Sequence, residues 1–233
     1  MEHLHNGFTI DFSPGAFPLS TDSVALSGFV RLGRSARVLD LGSGCGTLGL
    51  LLCAKDPACT VTGIELDADA HRMALENARR NGISDRLHSI CGNMTAVADF
   101  ITPGSFSVCV SNPPYFTAGP RSLSHPTARR EDQCSLKELF AAAAWSLKYG
   151  GDFCLVHRPE RLAEICATAS KYQLEPKRLC LVRHKEGSDI TLILLQCRKG
   201  GKPGLVWEDC FLQNEDSSPS EFFHRVYHTG ISL

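Results

Sequence analysis

From Arg37 to Tyr172 the chain alternates short apolar runs with helix-like stretches, and after residue 172 two further apolar runs follow almost without interruption. Alternation of this kind dictates a parallel sheet. Parallel neighbours need a crossover long enough to hold a helix, and such crossovers cover both sheet faces. The predicted strands are Arg37–Leu41, Thr60–Ile64, Leu87–Cys91, Phe106–Val110, Phe153–His157, Arg178–Val182 and Ile190–Cys197. Between them the predicted helices cover Thr47–Ala54, Ala68–Asn81, Leu136–Leu147 and Arg161–Tyr172. Asp56-Pro57, Asn81-Gly82 and Gly150-Gly151 act as helix stops, because proline cannot continue a helix and glycine takes the left-handed turn that ends one. The last two strands are joined only by a short loop at Lys185–Ser188, which implies a hairpin at the sheet edge. The expected architecture is α/β: about seven strands, mostly parallel, with a C-terminal edge hairpin and helices on both faces.

The length, 233 residues, suits a single domain. Residues 1–36 are expected as a cap or lid segment, 37–199 as the core, and 200–233 as a mixed, polar tail of loop or short elements. Hydrophobic residues at 43% and charged residues at 21% exclude a disordered chain. Lys plus Arg is 24 against 25 for Asp plus Glu, a net charge of −1. That excludes a protein that coats nucleic acid through overall basicity, while leaving room for local basic patches. None of the 11 cysteines pairs as CxxC, so neither a zinc site nor a thioredoxin-type motif is expected. Unpaired thiols on this scale suggest a reducing compartment. The N-terminal run MEHLHNGFTIDFSPG has no basic n-region followed by an apolar stretch, and no apolar run reaches the ~18 residues of a membrane span. The expectation is a cytoplasmic, soluble protein without metal.

Two ends of the predicted strands carry ligand-binding chemistry. The first strand runs into Asp40-Leu41-Gly42-Ser43-Gly44-Cys45-Gly46, and a helix begins at once. Glycines at alternate positions let backbone approach a ligand closely at a helix N-terminus. The second strand ends in Gly63-Ile64-Glu65, about 20 positions on, where a carboxylate can accept from ribose hydroxyls.

The sharpest signal is Asn112-Pro113-Pro114-Tyr115 after the fourth strand. It suits a target nitrogen whose lone pair is delocalised into a ring or carbonyl. The amide oxygen of Asn112 and the main-chain oxygen of Pro113 can both accept from such an NH2, drawing the nitrogen toward a tetrahedral, nucleophilic state. The two prolines hold these acceptors in place before substrate arrives, and Tyr115 can stack on a flat substrate group.

Taken together, Asp40–Gly46, Glu65 and Asn112–Tyr115 resemble the amino-methyltransferases that use S-adenosylmethionine, on a Rossmann-like class I methyltransferase fold. The flanks narrow the resemblance: Phe17-Pro18-Leu19-Ser20-Thr21-Asp22-Ser23 before the first strand, Ala128-Arg129-Arg130-Glu131-Asp132 after the catalytic loop, and Leu155–Leu162 and Leu174–Arg178 further on. With these, residues from about 8 to 210 resemble the bacterial valine-tRNA adenine-N6 methyltransferase family, which modifies the adenine beside the anticodon. The resemblance implies that Asp22, Asp40, Gly42, Ser43, Gly44, Gly46, Glu65, Leu66, Asn93 and Asn112 bind the cofactor. Asn93 stands where many methyltransferases carry an Asp that holds the adenine amine, and Asp22 belongs to a lid. Asn112, Pro113, Pro114 and Tyr115 would be catalytic. Arg121, Arg129 and Arg130 lie on the long polar segment Thr117–Gln133 and would contact tRNA. Arg130 stands where the family often has His.

Two other readings stay open. A protein-glutamine methyltransferase of the release-factor type uses the same Asn-Pro-Pro-Tyr, because an amide nitrogen poses the same lone-pair problem. Such enzymes usually carry a helical domain before the first strand, for which the 36 residues before Arg37 are too few. The other alternative is a cofactor-binding interaction module without catalysis, against which the intact Asn112–Tyr115 argues.

Overall fold

The computed structural model describes residues 2–4, 7–13, 19–113 and 135–224. The chain begins with β1 (Glu2–His3) and β2 (Thr9–Ile10), a two-stranded antiparallel ribbon, and then α1 (Thr21–Phe29). The alternating core follows: β3 (Arg37–Leu41), α2 (Thr47–Lys55), β4 (Thr60–Glu65), α3 (Ala68–Arg80), β5 (Leu87–Cys91), a 3-10 turn at Met94–Asp99, and β6 (Phe106–Ser111). Next come α4 (Leu136–Ser146), β7 (Leu147–His157), α5 (Leu162–Lys171), β8 (Leu174–Arg183), β9 (Ile190–Lys199), β10 (Val206–Phe211) and the short α6 (Glu221–His224).

The large sheet has the order β10-β8-β9-β7-β6-β3-β4-β5. Its neighbours run parallel except β9, which is antiparallel to both β7 and β8. Each central strand is buried on both faces and sorts its side chains by alternation. On β3, Val38 joins the core under α1 and α2, while Leu39 and Leu41 join the core under α4 and α5. That second core includes an edge-to-face pair, Phe140 and Phe153, with ring centres 5.1 Å apart. From β3 the chain steps outward through β4 and β5, and β6 returns on the other side of β3. Connections leaving β3 and β6 therefore diverge, and a crevice opens beyond the carboxyl ends of these two strands.

The α/β architecture agrees with expectation, with two corrections. The sheet has eight strands, not seven, and the β8–β9 hairpin lies one strand in from the edge. The added strand, β10, lies in the segment expected as a polar tail and pairs parallel with β8. Its sequence VWEDCF reads as tail because one of its acids serves the interior. Glu208 takes two hydrogen bonds, of 2.8 and 3.0 Å, from the guanidinium of Arg178, which is buried over the ring of Phe29. The second correction concerns Gly150-Gly151. These glycines do not stop α4, which ends at Ser146; they sit inside β7. There the pairing jumps from Leu147 opposite Phe106 to Asp152 opposite Val108. Gly150 takes φ +77°, and a Cβ on Gly151 would stand 3.0 Å from the carbonyl of Ser107, so the irregularity needs both glycines.

The N-terminal segment is held by α3. Asn77, in the last turn of α3, and Asn81, its C-cap, sit one turn apart, and Thr9 and Asp11 sit two residues apart on an extended chain. Both spacings are about 6–7 Å, so the two amides match the two peptides in register. Asn81 exchanges hydrogen bonds with the N–H and C=O of Thr9, at 2.8 and 2.7 Å. Asn77, fully buried, does the same with Asp11 at 3.0 and 2.8 Å, and its amide nitrogen also donates to the carbonyl of Cys45 at 3.0 Å. Arg80 adds an ion pair with Asp11. Asn77 thus links the N-terminal segment to the glycine loop. Replacing it by Ala removes the hydrogen bonds it makes to three backbone groups, the buried Cys45 carbonyl and the part-buried N–H and C=O of Asp11. We expect Asn77→Ala to cost about 2–3 kcal/mol and lower the melting temperature by about 5–10 °C in scanning calorimetry. Asn81→Ala, at a half-buried position, should cost less.

Candidate active site

The carboxyl ends of β3, β4, β5 and β6 lie side by side, and each carries one of the expected motifs. In the ladder Asp40 stands opposite both Gly63 and Val110, and Glu65 stands opposite Cys91. Asn112 and Asn93 each follow within two residues of those partners. Ser111 fastens β6 to β3, donating from its hydroxyl to the carbonyl of Leu41 at 2.8 Å.

The glycine loop turns as its composition requires. Gly42, Gly44 and Gly46 have φ of +76°, +54° and +85°, a region that a side chain disfavours. The N–H groups of Gly42 and Ser43 donate to the carbonyl of Ile64 at 3.0 and 3.1 Å, binding the loop to the neighbouring strand. Gly46 begins α2, and a Cβ there would meet that of Ala74 at 3.3 Å. Glu65 closes the loop from the other side: its carboxylate accepts from Gly44 N–H at 2.7 Å and from Asp67 N–H at 2.8 Å. A carboxylate offers roughly four acceptor positions, so these two bonds leave capacity for ribose hydroxyls. Leu66, next in the chain, leaves an apolar side chain 46% exposed at the strand end.

Asp40 is the anomaly of the site. It is 1% exposed, and neither carboxylate oxygen has a hydrogen-bond partner. Burial pushes its pKa up to about 8, and the negative charge of Glu65 adds to the effect. The Ser43 hydroxyl beside the loop is likewise buried without a partner. Its position depends on Gly63, where a Cβ would lie 2.4 Å from Ser43 Oγ. Buried polar atoms without partners are rare, and at the mouth of a glycine loop they fit a ligand that brings donors and positive charge.

Asn112 is half-buried, and its amide nitrogen donates to Ser23 Oγ at 2.9 Å. Ser23 lies in the first turn of α1 and is itself buried. The N-cap Ser20 accepts from the Ser23 N–H and directs its own hydroxyl at Ser23 Oγ, both at 3.3 Å. At its other end α1 is pinned by Lys55, whose ammonium donates to the carbonyls of Ser27 and Val30 at 2.9 and 2.7 Å. Burial lowers the Lys55 pKa to about 8, with a smaller contribution from Arg178. Asp22 sits in the first turn of α1, next to Ser23 in the chain. Asn93 caps the 3-10 turn, its side-chain oxygen accepting from Thr95 N–H at 2.9 Å.

The structure therefore gathers Asp40, Gly42, Ser43, Gly44, Gly46, Glu65, Leu66, Asn93, Asn112 and Pro113 along adjoining strand ends, with Asp22 on the helix that Asn112 touches. Pro114, Tyr115, Arg121, Arg129 and Arg130 lie outside the described residues. His157, at the end of β7, is 4% exposed and accepts from Arg158 N–H. Burial and then Arg161 lower its pKa to about 4, so it stays neutral as a packed side chain. Ser23 and Lys55 are the contributors that sequence reasoning missed; neither residue type announces a partner so distant in the chain. Among the described residues no group of His, Cys, Asp and Glu is arranged to hold a metal ion, and no helix is long and apolar enough to cross a membrane.

The model of the methyltransferase small domain matches residues 21–165. The tRNA1(Val) (adenine(37)-N6)-methyltransferase of Aeromonas hydrophila is 31% identical over 197 residues, 83% of this chain and 81% of that protein. The protein of the same name from Shewanella halifaxensis is 34% identical over 175 residues, 74% of this chain and 70% of its own. Among solved structures, a protein of Agrobacterium tumefaciens described as a predicted O-methyltransferase superposes with a TM-score of 0.76 at 21% identity. That match covers 91% of this chain and 98% of the other, and establishes the shared fold.

Proposed function

Since the chain belongs to the methyltransferase small domain family, and within it to the tRNA1(Val) (adenine(37)-N6)-methyltransferases, we propose that it methylates N6 of an adenine in tRNA, the one beside the anticodon of valine tRNA. The observation that carries this reading is the placement of Asn112. Its amide is fixed at the end of β6, beside a glycine loop with a buried acid, where an amino group would be presented to a methyl donor.

S-adenosylmethionine, when bound, supplies an electrophilic methyl on a positively charged sulfur. Asp40 holds the positive end of the cofactor, and Glu65 accepts from its ribose. Gly42, Ser43, Gly44 and Gly46 let it approach the backbone. Leu66 and Asn93 would border its adenine, and Asp22 would belong to the lid over it. The substrate's exocyclic NH2 donates to Asn112 Oδ1 and to the main-chain oxygen of Pro113. Both bonds strengthen as the nitrogen becomes tetrahedral and its hydrogens more acidic, so they favour the transition state over the ground state. Pro114 keeps the loop stiff, and Tyr115 stacks on the base. An unpaired loop base costs little to unstack, so a domain of this size can reach it. Arg121, Arg129 and Arg130 bind phosphates on the approach. Residues 1–36 are proposed to serve as a lid or cap segment, and a tRNA substrate supports a cytoplasmic location.

The test is incubation with total tRNA and methyl-labelled S-adenosylmethionine, followed by digestion to nucleosides. Label in N6-methyladenosine is the expected result. Label in any other nucleoside overturns the reading.

A further inference from the structure

We infer that binding of the methyl donor is coupled to the release of one proton: Asp40 carries a proton in the cofactor-free protein and gives it up as the cofactor's positive charge arrives. The inference rests on the proposed role of Asp40 in holding the cofactor, and goes beyond it by making cofactor affinity depend on pH.

Two acids meet at the ends of β3 and β4. Asp40 lies opposite Gly63 in the ladder, and Glu65 follows Gly63 by two residues, so both belong to the same face of the sheet. Their surroundings differ. Glu65 is half-buried, and its carboxylate accepts from the N–H groups of Gly44 and Asp67. Asp40 is buried with no donor on either oxygen, and its ladder neighbours Gly63 and Val110 bring no polar side chain. A carboxylate stripped of water and donors is costly, and a second negative charge beside it adds to the cost, so the proton goes to Asp40. The rise of its pKa to about 8, from burial first and Glu65 second, agrees with this arrangement. The other elements around β3 do not offset it. On β6 the Cys109 thiol stays neutral, because burial raises its pKa well above the ordinary range. The one charged residue of α1 is a further acid, Asp22, and the one cation of α2, Lys55, lies in its last turn, away from the glycine loop.

A bound cation reverses the balance. Its charge and its donors favour the ionised carboxylate, whereas an acid O–H aimed at it would meet it donor to donor. The O–H bond of Asp40 breaks, the electron pair stays on the carboxylate, and the proton passes to a base in solution. When the demethylated cofactor leaves, the proton returns. Affinity therefore rises with pH up to about 8, above which the cofactor-free protein has lost the proton unaided.

The experiment is calorimetric titration of the full chain with S-adenosylmethionine at pH 7, in phosphate and in Tris, buffers whose ionisation enthalpies differ widely. The heats should differ by close to the ionisation of one buffer molecule per cofactor bound, and the dissociation constant should rise roughly tenfold from pH 7 to pH 6. Asp40→Asn keeps the shape and has no proton to release. Its heats should agree between the buffers, and its weaker affinity should be flat over the same range. Carbon-13 NMR of the Asp40 carboxyl reads the same proton in the unaltered chain: its titration near pH 8 should move down into the ordinary carboxylate range at saturating cofactor. Equal heats in the two buffers for a wild-type chain that binds cofactor overturn the inference and leave the proposed function standing. A proton release that survives in Asp40→Asn also overturns it, assigning the proton to another group. A wild-type chain that does not bind S-adenosylmethionine overturns the proposed function itself, and this inference with it.

Discussion

Asn112→Ala should reduce kcat by about 10² or more while leaving the dissociation constant for S-adenosylmethionine within about twofold. The substitution removes an acceptor whose bond to the target amine tightens as the nitrogen pyramidalises, so the loss falls on the transition state. The proposed cofactor site lies at the ends of β3 and β4, where Gly44 and Glu65 hold each other and Asp40 is buried. Those contacts do not pass through the side chain of Asn112. The lost bond to Ser23 frees one hydroxyl at the start of α1, a cost near 1 kcal/mol that leaves the fold intact. Calorimetric titration with cofactor and single-turnover methylation of tRNA separate the two effects. A variant that binds cofactor normally and transfers methyl at the wild-type rate would remove Asn112 from the mechanism.

The second large effect concerns Asp40. Burial, reinforced by the charge of Glu65, raises its pKa in the folded chain to about 8, against ~3.9 for an unfolded carboxylate. The folded chain therefore holds a proton that the unfolded chain has released. Stability is fullest below the unfolded pKa and is lost as pH rises through about 8, by at most about 1.4 kcal/mol per pH unit. Asp40→Asn keeps the shape and cannot ionise. Without cofactor, the variant should gain on the wild type as pH rises from 5 to 8, by an amount on the order of a few kcal/mol at the upper end. The same variant should bind S-adenosylmethionine roughly 10- to 100-fold more weakly, the worth of a hydrogen bond to a charged group. A residue kept for structure would lose stability on substitution; one kept for a cationic ligand gains stability and loses affinity. Melting curves across this pH range and calorimetric titration read both halves. Unchanged affinity, or a variant less stable at pH 8, would contradict the role given to Asp40.

What was legible in the sequence follows from where the physical signal is local. The glycine loop, Glu65 and the Asn-Pro-Pro motif each end a short, largely buried strand, so a short apolar-rich run followed by a turn located them. β10 escaped because an edge strand needs only one inward face, and here part of that face is Glu208, whose partner Arg178 lies on another strand. Gly150-Gly151 read as a helix stop, because the demand for two glycines inside β7 arises from the carbonyl of Ser107 across the ladder. Asn81 read only as part of the Asn81-Gly82 helix stop, and Asn77 carried no signal of its own. Their match to Thr9 and Asp11 exists only once the N-terminal segment lies against α3. Ser23 is the extreme case. A serine near a helix start signals a cap, and nothing local announces an amide 89 positions away. The residues proposed to bind or react are carried by motifs; those that contact them from elsewhere in the chain depend on contacts that only folding creates.

The most direct test of the central claim is position-mapped methylation with competing substrates. Unmodified valine tRNA and a glutamine-bearing release-factor peptide are offered together with methyl-labelled S-adenosylmethionine, and both are digested and read by mass spectrometry. The expected result is a single methyl on N6 of the adenine beside the anticodon, with the peptide untouched and the signal lost in the Asn112→Ala variant. Methyl on the peptide glutamine with the tRNA unmodified would contradict the account and give the same Asn112 amide a protein substrate instead.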